Sequence, residues 1–113
     1  MDKMTPQHKE LASGRWSKLS LAAQMANIGS EVSRALNWQS KNNAELSRKA
    51  VIRGIELLDL SLAGAQSLSR ARELARLREA LVDYFFGTNE FSSTEALWRS
   101  YFDHFARAVR KDN

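Results

Sequence analysis

Three observations on the sequence predict an all-α fold. A single proline, Pro6, and five glycines interrupt a chain of 113 residues. Leu, Ala, Ser, Arg and Glu dominate it, residues that mostly favour helix, while strand-like runs of Val, Ile and Thr are absent. Apolar residues recur at spacings of three and four in four successive segments. Together these predict an antiparallel up-down-up-down four-helix bundle in one domain, residues 16–113, preceded by a loose or partly helical leader, residues 1–15.

The leader is polar, carries Pro6 and His8, and ends in Ser13-Gly14. Order is expected to begin at Trp16 or Ser17. The first helix is expected from about Ser20 to Ser40, with Leu21, Met25, Ile28, Val32 and Leu36 as its buried stripe. Lys41-Asn42-Asn43 is the turn, and Asn42 with Glu45 reads as a capping box for the second helix. That helix turns Val51, Ile55, Leu58 and Leu62 inward and ends near Ala63-Gly64. A short link, Gln66–Ser69, leads to a third helix ending at Phe86, with Gly87 as its C′ residue. Ser92 with Glu95 reads as a second capping box. The fourth helix then runs to about Arg110, with Trp98, Tyr101, Phe102, Phe105 and Val109 on one face. Gly29 and Gly54 lie beside the buried stripes, where a helix-interior glycine implies close approach of a neighbouring backbone.

Composition excludes several kinds of chemistry. Without cysteine there are no disulfides, zinc fingers, iron–sulfur ligation or thiol catalysis. No stretch reaches the roughly 18 consecutive apolar residues of a membrane span, and Met1–Gly14 lacks the apolar core of a secretory signal. A cytoplasmic protein is expected. The net charge of +4 is modest, and its 17 basic residues are interleaved with 13 acidic ones. The basic face with Arg70, Arg72 and Arg76 is interrupted by Glu73, so nucleic-acid binding is permitted by charge but not argued for.

The most informative residues are charges that helical phase puts among apolar ones. Asp59 falls within the arc Ile52, Ile55, Leu58 and Leu62. Arg78 falls within the arc Ala71, Leu74, Leu81, Val82 and Phe85. A lone buried charge costs several kcal/mol, so the two are expected to pair. Asn27, Glu31, Arg34, Arg53, Glu56, Glu79 and Asp83 extend this into a polar cluster, read as an ion-pair network that fixes helix register. The other reading is a site. Glu31, Glu56, Asp59, Glu79 and Asp83 would then hold Mg²⁺ or Mn²⁺, because carboxylates three residues apart share a helix face. The E-x-x-D of Glu56 and Asp59 is similar to one used by all-α nucleotide pyrophosphohydrolases, although the first helix offers Asn27 and Glu31 where their E-x-x-E would stand. A di-iron site is excluded, since the chain contains no E-x-x-H. No other cofactor is evident.

Arg99 and His104 form an R-x4-H string that resembles the motif of HEPN-domain ribonucleases. In that setting His acts as general acid or base and Arg stabilises a phosphorane-like transition state. On a regular helix the two point about 140° apart, so the bland reading is a solvated arginine and a boundary histidine. Tyr84, Phe85, Phe86, Phe91, Trp98, Tyr101, Phe102 and Phe105 are mostly core, yet exceed what one short helix needs. The excess implies a homo-oligomer contact, a dimer being favoured; Trp16 and Trp38 are expected either exposed at such an interface or pinned under the leader.

Three longer strings, Leu19–Trp38, Ala50–Leu62 and Leu74–Ser93, carry a broader resemblance. They contain M-A-N-I-G-S-E-V, E-L-L-D-L and L-R-E-A-L-V-D-Y-F, followed by Tyr101-Phe102-Asp103-His104-Phe105. Over about Trp16 to Arg110 the chain resembles a family of small all-α archaeal and bacterial proteins without an established activity. The resemblance implies a helical bundle and marks Asn27, Ser30, Glu31, Glu56, Asp59, Arg78, Glu79, Asp83 and Tyr84 as shared positions. The leading expectation is therefore a non-enzymatic interaction or structural module with a buried polar network centred on Asp59 and Arg78. A metal-dependent nucleotide or phosphate-ester hydrolase is the alternative, and a HEPN-like ribonuclease the weaker one.

Overall fold

The computed structural model describes residues 14–112, and its elements are helical throughout, with no strand among the described residues. A 3-10 turn, Trp16–Lys18, precedes α1 (Leu21–Ser40), α2 (Ala44–Ala63), α3 (Leu68–Phe86) and α4 (Glu95–Asp112). The predicted leader, apart from Gly14 and Arg15, lies outside the described residues. None of the helices is long and apolar enough to cross a membrane.

Each helix starts at a side-chain cap that satisfies an otherwise orphaned N–H. Ser20 accepts from Ala23 N–H at 3.1 Å and Ser67 from Arg70 N–H at 3.1 Å. The two predicted capping boxes are displaced. Asn43, not Asn42, caps α2 by accepting from Leu46 N–H at 3.0 Å. Thr94, not Ser92, caps α4 by accepting from Leu97 N–H at 3.1 Å. Asn42 and Ser92 take up positive φ in the preceding turns, geometry that a capping residue does not have. Gly87 likewise is extended at φ −109°; the left-handed residues of that loop are Asn89 at φ 59° and Ser92 at φ 56°.

α1 and α2 form the centre. Met25, Ile28, Val32 and Leu36 of α1, Val51 and Leu58 of α2 and Leu81 of α3 are fully buried. α4 lies on α1, and α3 lies on α2. The contact face of α2 is rotated from the predicted one. Ser47, Ala50, Val51, Gly54, Leu57, Leu58 and Ser61 are buried, whereas Ile52 is exposed. The reason is that small residues let α2 come close to α1. A Cβ on Gly54 would stand 3.3 Å from Glu31 Cβ, and the buried Ser47 hydroxyl donates to Ala35 C=O at 2.9 Å. α1 meets α4 at Gly29, where an added Cβ would lie 2.6 Å from Phe102 Cβ.

Trp16 is core, not interface. Its Nε1–H donates to Ser61 Oγ at 3.0 Å, and Ser61 Oγ donates to Gln24 Oε1 at 2.7 Å. Gln24 Nε2 closes the ring by donating to Trp16 C=O at 3.0 Å. One buried indole thus ties the chain entry to α1 and the end of α2.

α3 contrasts with its neighbours. It buries only Leu74, Leu77 and Leu81, leaves Leu68 exposed, and makes little backbone contact with α4. Among the described residues the seam between α3 and α4 is open.

Candidate functional site

The polar residues singled out by sequence do not gather in one place. Glu31, mostly buried, accepts from Arg34 at 2.7 Å and from Arg53 at 3.3 Å, joining α1 to α2. Asp59 meets Arg78 through two hydrogen bonds, 2.7 and 3.3 Å. The pairing is as expected, but the burial is not: the two side chains are 48% and 43% exposed. They bridge α2 and α3 at the surface because the rotated face of α2 carries Asp59 out of the core. The Asp59 hydrogen bond holds the Arg78 guanidinium above its usual pKa, against the opposing effect of partial burial.

The remaining carboxylates have other tasks or none. Asp83 accepts the N–H groups of Glu90 and Phe91 at 2.8 and 3.0 Å and so anchors the loop before α4. Glu79 is exposed. Glu56 is half-buried, and its Oε1 has no hydrogen-bond partner among the described residues. Asn27 donates back to Ala23 C=O of its own helix at 2.8 Å. Among the described residues no three Asp, Glu or His side chains converge as a metal site would require. The five candidate cation ligands are divided among separate environments, two of them already neutralised by arginine.

Arg99 and His104 do line one cleft, of about 710 Å³, between α1 and α4, with Ser30, Ser33, Asp103 and Arg107. The Arg99 guanidinium is engaged on all sides: with Glu95 at 2.8 Å, Ser33 at 3.0 Å and Asn37 at 2.8 Å. A group so held orients α4 on α1 and has little freedom to follow a reacting phosphate. His104 is exposed, its ring against the edge of Phe105.

A second, larger concavity lies elsewhere. A groove of about 1070 Å³ runs along the open seam between α3 and α4. Leu77, Ala80, Trp98 and Tyr101 line its apolar part, and Leu68 and Leu97 stand on its rims, 66% and 59% exposed. Arg72, Glu73 and Arg76 form the charged edge of α3. At one end the Tyr84 ring meets the edge of Trp98 at 6.1 Å, and Trp98 stacks on Phe102 at 6.2 Å. The aromatic excess seen in the sequence is thus largely a run of ring contacts within α4, tied to α3 through Tyr84 and Trp98, with Phe86 and Phe91 left exposed. Burial raises the phenol pKa of both Tyr84 and Tyr101; the nearby charges of Glu95 and Glu73 add to the respective shifts. Trp98 is buried, yet its Nε1–H has no acceptor among the described residues.

Sequence reasoning did not single out the groove. Its signal is Leu97, which sits beside Trp98 but off the Trp98–Phe102–Phe105 stripe, together with Leu68 ahead of the α3 stripe. An isolated exposed leucine is ordinary. Two on facing rims of one concavity are not, and only the tertiary arrangement shows that they face each other.

No family model matches this chain, and neither a curated protein nor a solved structure matches it.

Proposed function

We propose that this chain is a non-enzymatic interaction module that receives an amphipathic helix in the groove between α3 and α4. The observation that carries the reading is the open seam itself, apolar within, rimmed by two exposed leucines and edged by charge. Its size fits a helix: at a diameter of 10–12 Å and a rise of 1.5 Å, a helix takes about 120–170 Å³ per residue, so the groove takes about six to nine residues, or two turns. Helix-in-groove recognition uses such a surface, with apolar anchors at i, i+3, i+4 and i+7 supplying most of the affinity.

The reading includes the topology. We infer that the helices alternate up and down, which the register supports. Along α2, Ser47, Arg53 and Ser61 meet Ala35, Glu31 and Gln24 of α1 in descending order. Along α4, Arg99 meets Asn37 and Ser33, while Phe102 lies on Gly29. In that arrangement α3 and α4 are neighbours whose shared face no other described element covers.

The test uses a probe peptide of about ten residues with leucines at helical spacing and glutamates on its flanks. Dilute, dye-labelled protein is titrated with it and followed by thermophoresis. Saturable binding that weakens at least about tenfold in Leu97→Glu supports the groove. Binding indifferent to that substitution, or none at all, refutes it.

A further inference from the structure

We infer that the partner of the groove is a second copy of this chain, docked about a two-fold axis so that each copy covers the other's groove; this rests on the reading of the groove given above. The charge pattern of α3 is the first argument. Arg72, Glu73 and Arg76 line the groove, and none of them forms an ion pair among the described residues. A rim of one sign would repel its own copy. This rim carries both signs, four or fewer residues apart, and is complementary to itself: a two-fold axis crossing α3 near Leu74 and Ala75 sets the two α3 helices antiparallel. Glu73 of each copy then faces Arg76 of the other. One patch supplies two equivalent ion pairs, the hallmark of an isologous interface.

The apolar pattern and the size agree. Leu68 and Leu97 project from opposite rims and are available to enter a facing groove, while the half-buried Tyr101, backed by the buried Trp98, supplies the aromatic surface that interfaces favour. α3, with 19 residues, is about 28 Å long, and two adjacent helices are about 20 Å wide. The face measures about 560 Å² in projection, and more along its corrugated walls, which approaches the roughly 800 Å² per partner of a stable complex. A foreign helix satisfies the apolar groove equally well but leaves the mixed sign of the rim without a reason.

Sedimentation velocity of the full chain from about 1 to about 200 µM tests this directly. The expected result is a reversible monomer–dimer equilibrium. Leu97→Glu weakens it, as do Glu73→Arg and Arg76→Glu separately, each by at least about tenfold. The double variant Glu73→Arg/Arg76→Glu restores it, because both reciprocal pairs are reversed together. Circular dichroism of each variant confirms that the helices persist. A monomer across the whole range overturns the second copy, and if Leu97→Glu still abolishes probe-peptide binding the groove reading survives. A dimer indifferent to all three single substitutions overturns the placement of the interface on this face.

Discussion

Gly29→Ala probes the closest helix crossing, and its effect can be worked from the geometry. The added methyl would lie 2.6 Å from Phe102 Cβ and 2.9 Å from two of its ring carbons. Carbon atoms in favourable contact stand about 3.5–4.0 Å apart, so α4 must withdraw by about 1 Å. Phe102 cannot relieve the contact by rotating, because its Cβ is fixed to the α4 backbone. Alanine brings about 1 kcal/mol of helix propensity, while over-packing a core costs about 1–3 kcal/mol, occasionally more. With a rigid contact the cost falls at the upper end, and the expected net loss is about 2 kcal/mol. For a chain of this size that lowers the melting temperature by about 8 °C. Thermal unfolding followed by circular dichroism measures it. The near-ultraviolet spectrum should change too, since the Trp98–Phe102 stack moves with α4. Gly54→Ala is the control: its methyl would meet Glu31 Cβ at 3.3 Å, and the propensity gain offsets the contact to within about 1 kcal/mol. A Gly29→Ala protein that melts at or above the parent would refute the α1–α4 packing described above.

Three further outcomes follow from the polar contacts. Asp59→Asn should cost under about 1 kcal/mol, and less at high salt, because the pair with Arg78 is nearly half exposed; a loss of several kcal/mol in urea titration would mean that the pair is buried. Ser61→Ala should cost about 1–3 kcal/mol by leaving the Trp16 indole N–H and the Gln24 carbonyl without their partner, visible as a lower urea midpoint and a shifted tryptophan emission. Both tyrosines ionise above their usual value of 10.0 in the folded state. The unfolded chain therefore releases those protons first, and stability that is complete below pH 10 should fall as pH rises through and beyond it; a phenolate absorbance titration of the native protein with an ordinary midpoint would contradict this.

The sequence made the helices legible because their signals are local. Ser20 and Ser67 cap where a serine precedes an apolar period, and α3 spans Leu68–Phe86 as its periodicity requires. The caps at Asn43 and Thr94 were displaced because the neighbouring Asn42 and Ser92 are consumed by the turns. The burial of Asp59 was misread for a different reason. Hydropathy assigns the inner face of α2 to Val51, Ile55, Leu58 and Leu62; Val51 and Leu58 are buried as assigned, but the close approach of α1 adds Ser47, Ala50, Gly54 and Ser61 and leaves Asp59 exposed. Small residues at spacings of three, four and seven carry that information, and they read as polar or neutral on a hydropathy count. The groove was least legible of all. Leu68, Leu77, Leu97 and Tyr101 acquire meaning only from the distance between α3 and α4, which no single helix encodes.

Hydrogen exchange by mass spectrometry locates the binding face on the molecule. Exchange of the full chain is compared with and without the probe peptide, and between dilute and concentrated protein. Added protection is expected in both comparisons, confined to the groove-lining segments, residues 68–80 and 93–101. Protection that falls instead on Ala26–Leu36 of α1, beside the cleft that holds Arg99 and His104, would contradict the groove as that face.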